Sequence, residues 1–550
     1  MGSRRASASH LWLRGLGAAD PRKQGLTLLG ALAMVTLGIP AYALSVSVRE
    51  HGIDARRLQE PPYSLTGRKI AIGQVEGGRP ALFGLDKLAV PNGAVRPAQV
   101  LQLDGVATAD DYVDGHAHNV ASVMISQEKW LTGVAPNATL FAASIGPLSE
   151  LSGQPQECLT TQHVALRNSG DVRAINFSFG EPLQSDPRPN AALDGNALLT
   201  QCVDWSSIVH DTLYVIAGNQ GGGGIPIPTD NFNGINVAYS TQVDGRFVKI
   251  DYANAGSEPT FSPTRSSGPE SNVGDRRSIN LVAPGADIQM IDPGGRWDSN
   301  SGTSFASPHV TATVALLQEW GDRQIRAAAP GWSLDARQPM VMKAVLLNAA
   351  DKLRDRGDGL LLGMSRTLLD ESNRTWLDSD AYLSREIPLH NELGTGHLNA
   401  FRAYEQFDGG QWLPGQVPVR GWAYEIISKA QNSADYVIER PLQEGSYLAA
   451  TLTWERQVAL VDSNSSGLYE RGERFKAEDL NNLDIYLMEA DENDLSKSVW
   501  SSVSSVDSVE HLFYQIPKTG RYKLRVVYRH QAASGLEQDY ALAWWAVGAP

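Results

Sequence analysis

From Lys69 onward, short apolar runs alternate with stretches that have the period of a helix. The predicted buried strands lie at residues 70–75, 138–145, 172–179, 213–217, 235–239 and 279–283. The predicted helices lie at residues 119–126, 158–168, 191–209, 304 to about 320, and 339–353. Alternation of this kind is typical of a mostly parallel sheet with helices on both faces. We therefore predict an α/β fold for this part of the chain.

The pattern changes after residue 405. Residues 406–419 are rich in Gly and Pro and predict a linker. Beyond it the apolar residues recur with a period of two, and no convincing helix separates the strand-like runs. These runs lie at residues 436–440, 447–454, 483–488, 510–516, 522–528 and 540–546. We predict an all-β sandwich domain over residues 420–550.

Residues 1–45 have the pattern of a targeting segment. Basic residues precede an uncharged stretch at 26–45, and the sequence AYA at 41–43 offers the small residues that a signal peptidase requires. A cleaved signal peptide, an uncleaved membrane anchor and a soluble structural role all fit this segment. The first two place the protein outside the cytoplasm: secreted or periplasmic, or held at the membrane facing outward. Residues 46–66 are polar and predict a short irregular segment.

The composition limits the kinds of partner that we expect the protein to bind. The 550 residues carry a formal net charge of −14, which argues against a nucleic-acid partner, because such a partner favours a basic face. A membrane is expected as a partner only if the N-terminal segment remains as an anchor. The two cysteines, Cys158 and Cys202, could pair in an oxidising compartment or remain as buried thiols. No Cys or His cluster predicts zinc, and we expect no cofactor for catalysis.

The segment GTSFASPHV at residues 302–310 carries the strongest chemical signal. A glycine and two hydroxyl residues lead into a predicted helix, with Pro308 expected in its first turn. Backbone N–H groups at a helix start are unpaired, and they can stabilise an oxyanion that forms beside Ser304. Ser304 could equally be only the N-cap of the helix.

The segment resembles the nucleophile motif of the subtilase family. Other motifs follow in the family's chain order, and the resemblance covers about residues 67–405. They are HAHNVA at 116–121, GVAPNA at 133–138, INFSFG at 175–180, VIAGN at 215–219 and APG at 283–285. The resemblance implies a subtilisin-like serine endopeptidase with polypeptide substrates.

The resemblance also implies a role for each motif. Ser304 is the expected nucleophile, and His116, the first histidine of its motif, is the expected general base, with His118 as the competitor. The Asn219 amide is expected to donate to the oxyanion, although an asparagine before glycines also suits a turn. The expected substrate-binding strand contains Ser178, Phe179 and Gly180.

The catalytic acid departs from the family pattern. Where the family has an aspartate at the end of the first strand, the sequence IGQVEGG at residues 72–78 places Glu76. A glutamate can orient and stabilise the imidazole if its longer side chain is accommodated. Asp86, Asp104 and Asp114 are the alternative acids.

The C-terminal region resembles the β-sandwich pre-peptidase domains of secreted bacterial proteases in NLDIYL at 482–487 and in residues 510–511 and 520–522. Within it, the oxygen ligands of a calcium loop would have the right spacing. A solvated hairpin turn fits the same residues. The candidate ligands are Asp462, Asn464, Ser466, the carbonyl of Leu468, and Glu473.

Two other function classes stay open. A catalytically silent subtilase-like scaffold could bind peptides through the edge at residues 178–180. A carbohydrate-binding or surface-binding module could use the β sandwich. The glutamate at position 76 is the main reason to consider the first.

Overall fold

The computed structural model describes residues 44–91, 93–146, 153–218, 226–251 and 276–550. All but the last two positions of the predicted targeting segment lie outside these ranges. Within them, no helix combines the length and the apolar character that a membrane span requires.

The helices of the described chain are α1 (Leu44–Val48), α2 (Ala55–Gln59), α3 (Gly115–Ile125), α4 (Gln154–Ala165), α5 (Arg167–Gly170), α6 (Leu198–Val209), α7 (Thr303–Arg326), α8 (Pro339–Asn348), α9 (Asp380–Leu383) and α10 (Ala400–Asp408). The strands of the α/β part are β1 (Ala71–Glu76), β2 (Gln99–Gln102), β3 (Gly105–Val106), β4 (Thr139–Ser144), β5 (Val172–Phe177), β6 (Leu213–Ala217), β7 (Ile235–Val243), β8 (Arg246–Ile250), β9 (Leu281–Pro284), β10 (Ile288–Ile291), β11 (Trp297–Asn300) and β12 (Leu368–Leu369).

The central sheet of the described chain has the order β12-β8-β7-β6-β5-β1-β4-β2-β3, and β9 pairs with β7. All neighbours are parallel except the pairs β7–β8 and β2–β3. Every residue of β1, β5 and β6 is buried, as expected for strands covered on both faces. The predicted α/β fold is confirmed.

One predicted helix begins too early. Helix α6 starts at Leu198, not at residue 191. The preceding turn contains Gly195 with a φ of 79°. Arg188 binds the carboxylate of Asp194 in the same turn, with the Nη2–Oδ1 pair at 2.9 Å. A positive φ and a side-chain ion pair hold the chain out of the helical conformation.

The prediction of an irregular segment at residues 46–66 was wrong for the residues of α1 and α2. Val48, Ile53, Leu58 and Leu65 are fully buried and join the main hydrophobic core. The predicted linker at residues 406–419 is also partly regular, because α10 extends to Asp408 and a strand forms inside it.

The C-terminal strands are β13 (Gly415–Val417), β14 (Arg420–Ser428), β15 (Ser433–Ile438), β16 (Tyr447–Trp454), β17 (Val458–Val461), β18 (Arg474–Ala477), β19 (Asn482–Glu489), β20 (Trp500–Ser502), β21 (Val509–Gln515), β22 (Tyr522–His530) and β23 (Glu537–Trp545). They form a sheet β13-β15-β22-β19-β20, a sheet β14-β23-β16-β21 and the hairpin β17–β18. The predicted all-β region is confirmed.

The β sandwich and the α/β part share one hydrophobic core. Helix α8 is buried along its whole length and packs against β16 and β23. Trp422, Val509, Ala541 and Ala543 of the sandwich belong to the same apolar cluster as α7 and α8. The hairpin β17–β18 extends over α4 and α6, which a disulfide between Cys158 and Cys202 joins. The two parts therefore form one packed body.

Candidate active site

Glu76 and His116 meet at the carboxyl end of β1. The Glu76 Oε2 atom lies 3.3 Å from Nδ1 of His116. The Glu76 side chain is 2% exposed, whereas the His116 side chain is 40% exposed. A buried carboxylate therefore supports an imidazole whose other face remains open to a substrate.

The pKa of His116 reflects this pairing. Desolvation lowers the pKa of the imidazole, but the charge of Glu76 and its hydrogen bond raise it. Asp114 adds a smaller raising effect, and the net pKa of His116 lies above its ordinary value. The site therefore favours the imidazolium that a general base forms during catalysis.

Helix α3 begins earlier than predicted and carries His116 in its first turn. Asp114 is the N-cap, and its carboxylate accepts from the backbone N–H of Ala117 at 3.0 Å. The sequence placed the helix start at residue 119 because the three preceding residues are polar or small. An aspartate N-cap followed by Gly115 is the signal that locates the start.

Ser304 lies in the first turn of α7. Gly302 precedes the helix with a φ of 147°, and its N–H donates to the carbonyl of Gly285 at 2.8 Å. A side chain at position 285 would place a Cβ 2.6 Å from the carbonyl oxygen of Gly302. Glycine at both positions lets the two backbones approach closely enough to set this helix start.

The sequence predicted Pro308 in the first turn of its helix, and this prediction was wrong. Helix α7 begins at Thr303, so the proline is its sixth residue. Proline has no N–H, so it cannot bond the carbonyl of Ser304, four residues earlier. The Ser178 hydroxyl donates to that carbonyl instead, at 2.9 Å. The proline thus leaves the Ser304 carbonyl free to bind the segment that follows β5.

The two helix starts face each other. Helix α3 packs against α7, and the His116 ring centroid lies 5.4 Å from that of Phe305, the neighbour of Ser304. The hydrogen bond found for the Ser304 Oγ atom in the described structure goes to the carbonyl of Ser178 at 3.4 Å. Catalytic hydrogen bonds often shorten only when substrate is bound.

Ser178, Phe179 and Gly180 follow β5 directly. The Ser178 Oγ atom accepts from Nδ2 of Asn176 at 2.8 Å, and Phe179 is buried against Phe177. This segment therefore lies beside the start of α7. Its role in binding substrate remains a prediction.

Asn219 lies outside the described residues, and its predicted role stays a prediction. The residue before it is described. The carbonyl of Gly218 accepts from the hydroxyl of Thr303 at 2.9 Å, so the residues preceding Asn219 and Ser304 are in contact.

The alternative base His118 and two of the alternative acids, Asp86 and Asp114, make other contacts. Nδ1 of His118 accepts from the N–H of Ala81 at 3.2 Å, and burial lowers its pKa to about 4. Asp86 forms a buried ion pair with Arg79, with the Nη2–Oδ1 distance at 2.7 Å. Asp104 follows β2, and Asp114 caps α3.

Gln74 was missed by sequence reasoning. Its Nε2 atom donates to the carbonyl of Ala117 at 2.8 Å and lies 3.5 Å from Oε1 of Glu76. Residues two apart on a strand share a face, so the alternation along β1 could have indicated this contact.

The candidate calcium ligands all lie on the turn between β17 and β18. The Asp462 carboxylate accepts from four backbone N–H groups, including that of Gly467 at 2.7 Å. Oε1 of Glu473 accepts from the hydroxyl of Ser463 at 2.9 Å. Among the described residues, no group of three or more His, Cys, Asp or Glu is placed to hold a metal ion.

The family model of the subtilases matches residues 96–365. The chain carries a subtilase-family domain. His116 and Ser304 lie within the matched range, whereas Glu76 precedes it. The named relatives of the subtilase domain are proteases.

Subtilisin Savinase of Lederbergia lenta is 26% identical over 219 residues, which cover 39% of this chain and 68% of that protein. Subtilisin NAT of Bacillus subtilis subsp. natto is 30% identical over 223 residues, 39% of this chain and 50% of the other. An alkaline protease of Alkalihalobacillus alcalophilus is 26% identical over 219 residues, which cover 39% of this chain and 48% of that protein. The chain spans about half the length of most of these curated relatives.

Among solved structures, the chain is similar to the prenylagaramide maturation protease PagA, with a TM-score of 0.40 and 19% identity over 64% of this chain and 97% of the other.

Proposed function

We propose that this protein is an exported serine endopeptidase that hydrolyses peptide bonds in polypeptides through an acyl-enzyme intermediate. The observation that carries the proposal is the Glu76–His116 pair, 3.3 Å apart and next to the helix start that contains Ser304. The subtilase family match over residues 96–365 supports the reaction type.

In the proposed first step, the Ser304 Oγ atom attacks the scissile carbonyl carbon, and His116 takes the hydroxyl proton through Nε2. Glu76 accepts from Nδ1–H and stabilises the imidazolium. The negative charge on the carbonyl oxygen is stabilised by the Ser304 backbone N–H and the Asn219 side chain. The contact between Thr303 and Gly218 supports this proposed role, because it brings together the residues that precede Ser304 and Asn219.

The tetrahedral intermediate then collapses. The carbon–nitrogen bond breaks, His116 donates its proton to the leaving amine, and an ester forms between the substrate acyl group and Ser304. A water molecule then attacks this ester, His116 takes its proton, and the carboxylate product leaves as the Ser304 hydroxyl is restored. No metal or organic cofactor takes part in these steps.

The substrate backbone is proposed to align along residues 178–180. This segment is held to α7 by the hydrogen bonds between Ser178 and Ser304. An extended peptide that adds to a strand edge gains backbone hydrogen bonds that are largely independent of its sequence.

Export rests on the N-terminal segment and on the disulfide. A bond between Cys158 and Cys202 suits an oxidising compartment. We propose that the protein is secreted or periplasmic, with the membrane as a partner only if residues 1–45 remain as an anchor.

Hydrolysis of an unstructured polypeptide tests the proposal. We expect the purified wild type to cleave denatured casein internally, and the Ser304→Ala variant to lose this activity. A silent scaffold predicts no cleavage by either protein, although both would bind the peptide. Cleavage that survives in the Ser304→Ala variant would contradict the proposed nucleophile.

A further inference from the structure

The β sandwich contacts the subtilase domain through a buried arginine. Arg456, in the turn after β16, is 4% exposed. Its Nη2 atom donates to Oδ2 of Asp204 at 2.8 Å and to the carbonyl of Gly195 at 2.5 Å. A buried ion pair with further hydrogen bonds fixes the relative positions of its two elements.

The same arginine holds the loop at residues 226–234, which leads into β7. The backbone N–H of Arg456 donates to Oδ1 of Asn233 at 2.9 Å, and Nδ2 of Asn233 donates back to the Arg456 carbonyl at 3.1 Å. The Arg456 guanidinium also lies 4.2 Å from the Phe232 ring centroid. The guanidinium of Arg276 lies 3.7 Å from the centroid of the same ring. Two cations on one aromatic ring hold it firmly.

A second sandwich residue binds the backbone of this loop. The carbonyl of Phe232 accepts from the Ser508 hydroxyl and from Nζ of Lys343, each at 2.7 Å. Ser508 belongs to the β sandwich and Lys343 to α8. The loop is therefore held from both parts of the molecule.

The loop in turn supports the predicted substrate-binding segment. The N–H of Glu181 donates to the carbonyl of Ile227 at 2.9 Å, and the N–H of Ile227 donates to the carbonyl of Glu181 at 3.1 Å. Glu181 directly follows residues 178–180. Arg456 is thus connected to the segment beside Ser304 by hydrogen bonds at both ends of the loop and by the loop backbone between residues 227 and 233.

We propose that Arg456 is a positioning residue for peptide hydrolysis. Its guanidinium holds residues 226–234 through the Phe232 ring and through Asp204, whose Oδ1 atom accepts from the backbone N–H groups of Phe232 and Asn233. Through the Ile227–Glu181 pair it keeps residues 178–180 in the geometry that an extended substrate requires. The β sandwich therefore contributes to peptide binding by the subtilase domain. The proposal rests on the proposed function.

The kinetic effect separates this role from general stabilisation. An interaction that aligns the substrate backbone contributes to binding, so its loss raises KM for extended peptides more than it lowers kcat. An interaction that only stabilises the fold lowers the melting temperature and the active fraction, but leaves KM of the folded enzyme unchanged.

The test compares Arg456→Met with Arg525→Met. Arg525 also forms an ion pair with an aspartate, Asp435, with hydrogen bonds at 2.6 and 2.7 Å, but this pair lies within the β sandwich. Active enzyme is counted by titration with a serine-directed phosphonate, and KM and kcat are measured on a peptide of about eight residues. We expect KM to rise about tenfold in Arg456→Met with kcat within about threefold, and no change in Arg525→Met.

A wild-type KM in titrated Arg456→Met would overturn the proposal. If that variant yields no titratable enzyme, Ser508→Ala decides, because it removes one of the two hydrogen bonds to the Phe232 carbonyl. We expect KM to rise about twofold to threefold in Ser508→Ala, and an unchanged KM would then overturn the proposal. Failure of the proposed function is a different result: wild-type protein that neither titrates nor cleaves.

Discussion

The carboxylate of Glu76 reaches Nδ1 of His116 at 3.3 Å from the last residue of β1. A glutamate is one methylene longer than the aspartate that the family resemblance leads one to expect at this position. The strand end and the first turn of α3 nevertheless leave enough room, and Gln74 holds Ala117 on the same side. The geometry therefore suits a glutamate as the acid.

Replacing Glu76 with glutamine should lower kcat strongly. The amide keeps the size of the side chain but cannot stabilise the imidazolium or fix its tautomer, so we expect a loss of about 10³–10⁴ in kcat. Glu76→Asp keeps the charge and should lose less. Rates on one peptide substrate, corrected for folded protein, check this prediction. Full activity in Glu76→Gln would exclude Glu76 as the acid.

The pH dependence should report the same pair. His116 must be neutral to accept a proton, and the charge of Glu76 holds its pKa above the ordinary value. We therefore expect kcat/KM to rise with pH through a midpoint above the ordinary pKa of histidine. In Glu76→Gln the residual activity should rise at a lower pH. Identical midpoints in the two proteins would contradict the pairing.

Ser47 should contribute to stability although it lies close to the predicted targeting segment. Its Oγ atom lies 2.8 Å from Nε2 of His309 on α7, and burial lowers the pKa of His309 to about 4. Ser47→Ala would leave a buried ring nitrogen without this partner, at a cost of about 1–3 kcal/mol. Urea unfolding measures the loss. Ser496→Ala, which removes an exposed hydrogen bond to Asp494, is the control and should change little.

The buried carboxyls of Glu157 and Glu181 should make stability fall at high pH. Burial, together with the charge of Glu181, raises the pKa of Glu157 well above its ordinary value. A raised folded-state pKa means that stability is complete below the unfolded-state pKa and is lost as pH rises from there through the folded-state pKa. We expect Glu157→Gln to increase the melting temperature at neutral and alkaline pH, and to have little effect at pH 4. A uniform change across pH would contradict this explanation.

Calcium binding by the β17–β18 turn remains a prediction with a direct test. If Asp462, Asn464, Ser466, Leu468 and Glu473 ligate calcium, adding it should raise the melting temperature of the wild type, and EDTA should reverse the increase. The Asp462→Ala variant should show neither effect. A calcium-dependent increase that persists in this variant would exclude the turn as the site.

The sequence located the interior of the fold better than its edges. Strands β6 and β16 match their predicted limits, because both consist mostly of apolar residues and are buried at every residue. Strands β17 and β18 were missed, since each has only four residues and alternates buried and exposed positions weakly. Their stability comes from packing on α4 and α6, which lie more than 200 residues away in the chain.

The candidate site likewise contains residues that the sequence indicates and residues that it does not. The resemblance to subtilase motifs identified Glu76, His116 and Ser304 as candidates, because each lies in a short segment whose own sequence forms a motif. Arg456 could not be found in this way, since its partners are distant in sequence and nothing around it forms a motif. Contacts between distant segments are set by the packing of the whole molecule and become visible only in the folded structure.

The most direct test of Ser304 as the nucleophile and His116 as its base is the mass of the protein after reaction with a serine-directed phosphonate. We expect the wild type to gain one adduct, peptide mapping to place it on Ser304, and His116→Ala to react far more slowly. A folded wild type that gains no adduct, or an adduct that persists in Ser304→Ala, would exclude this catalytic pair.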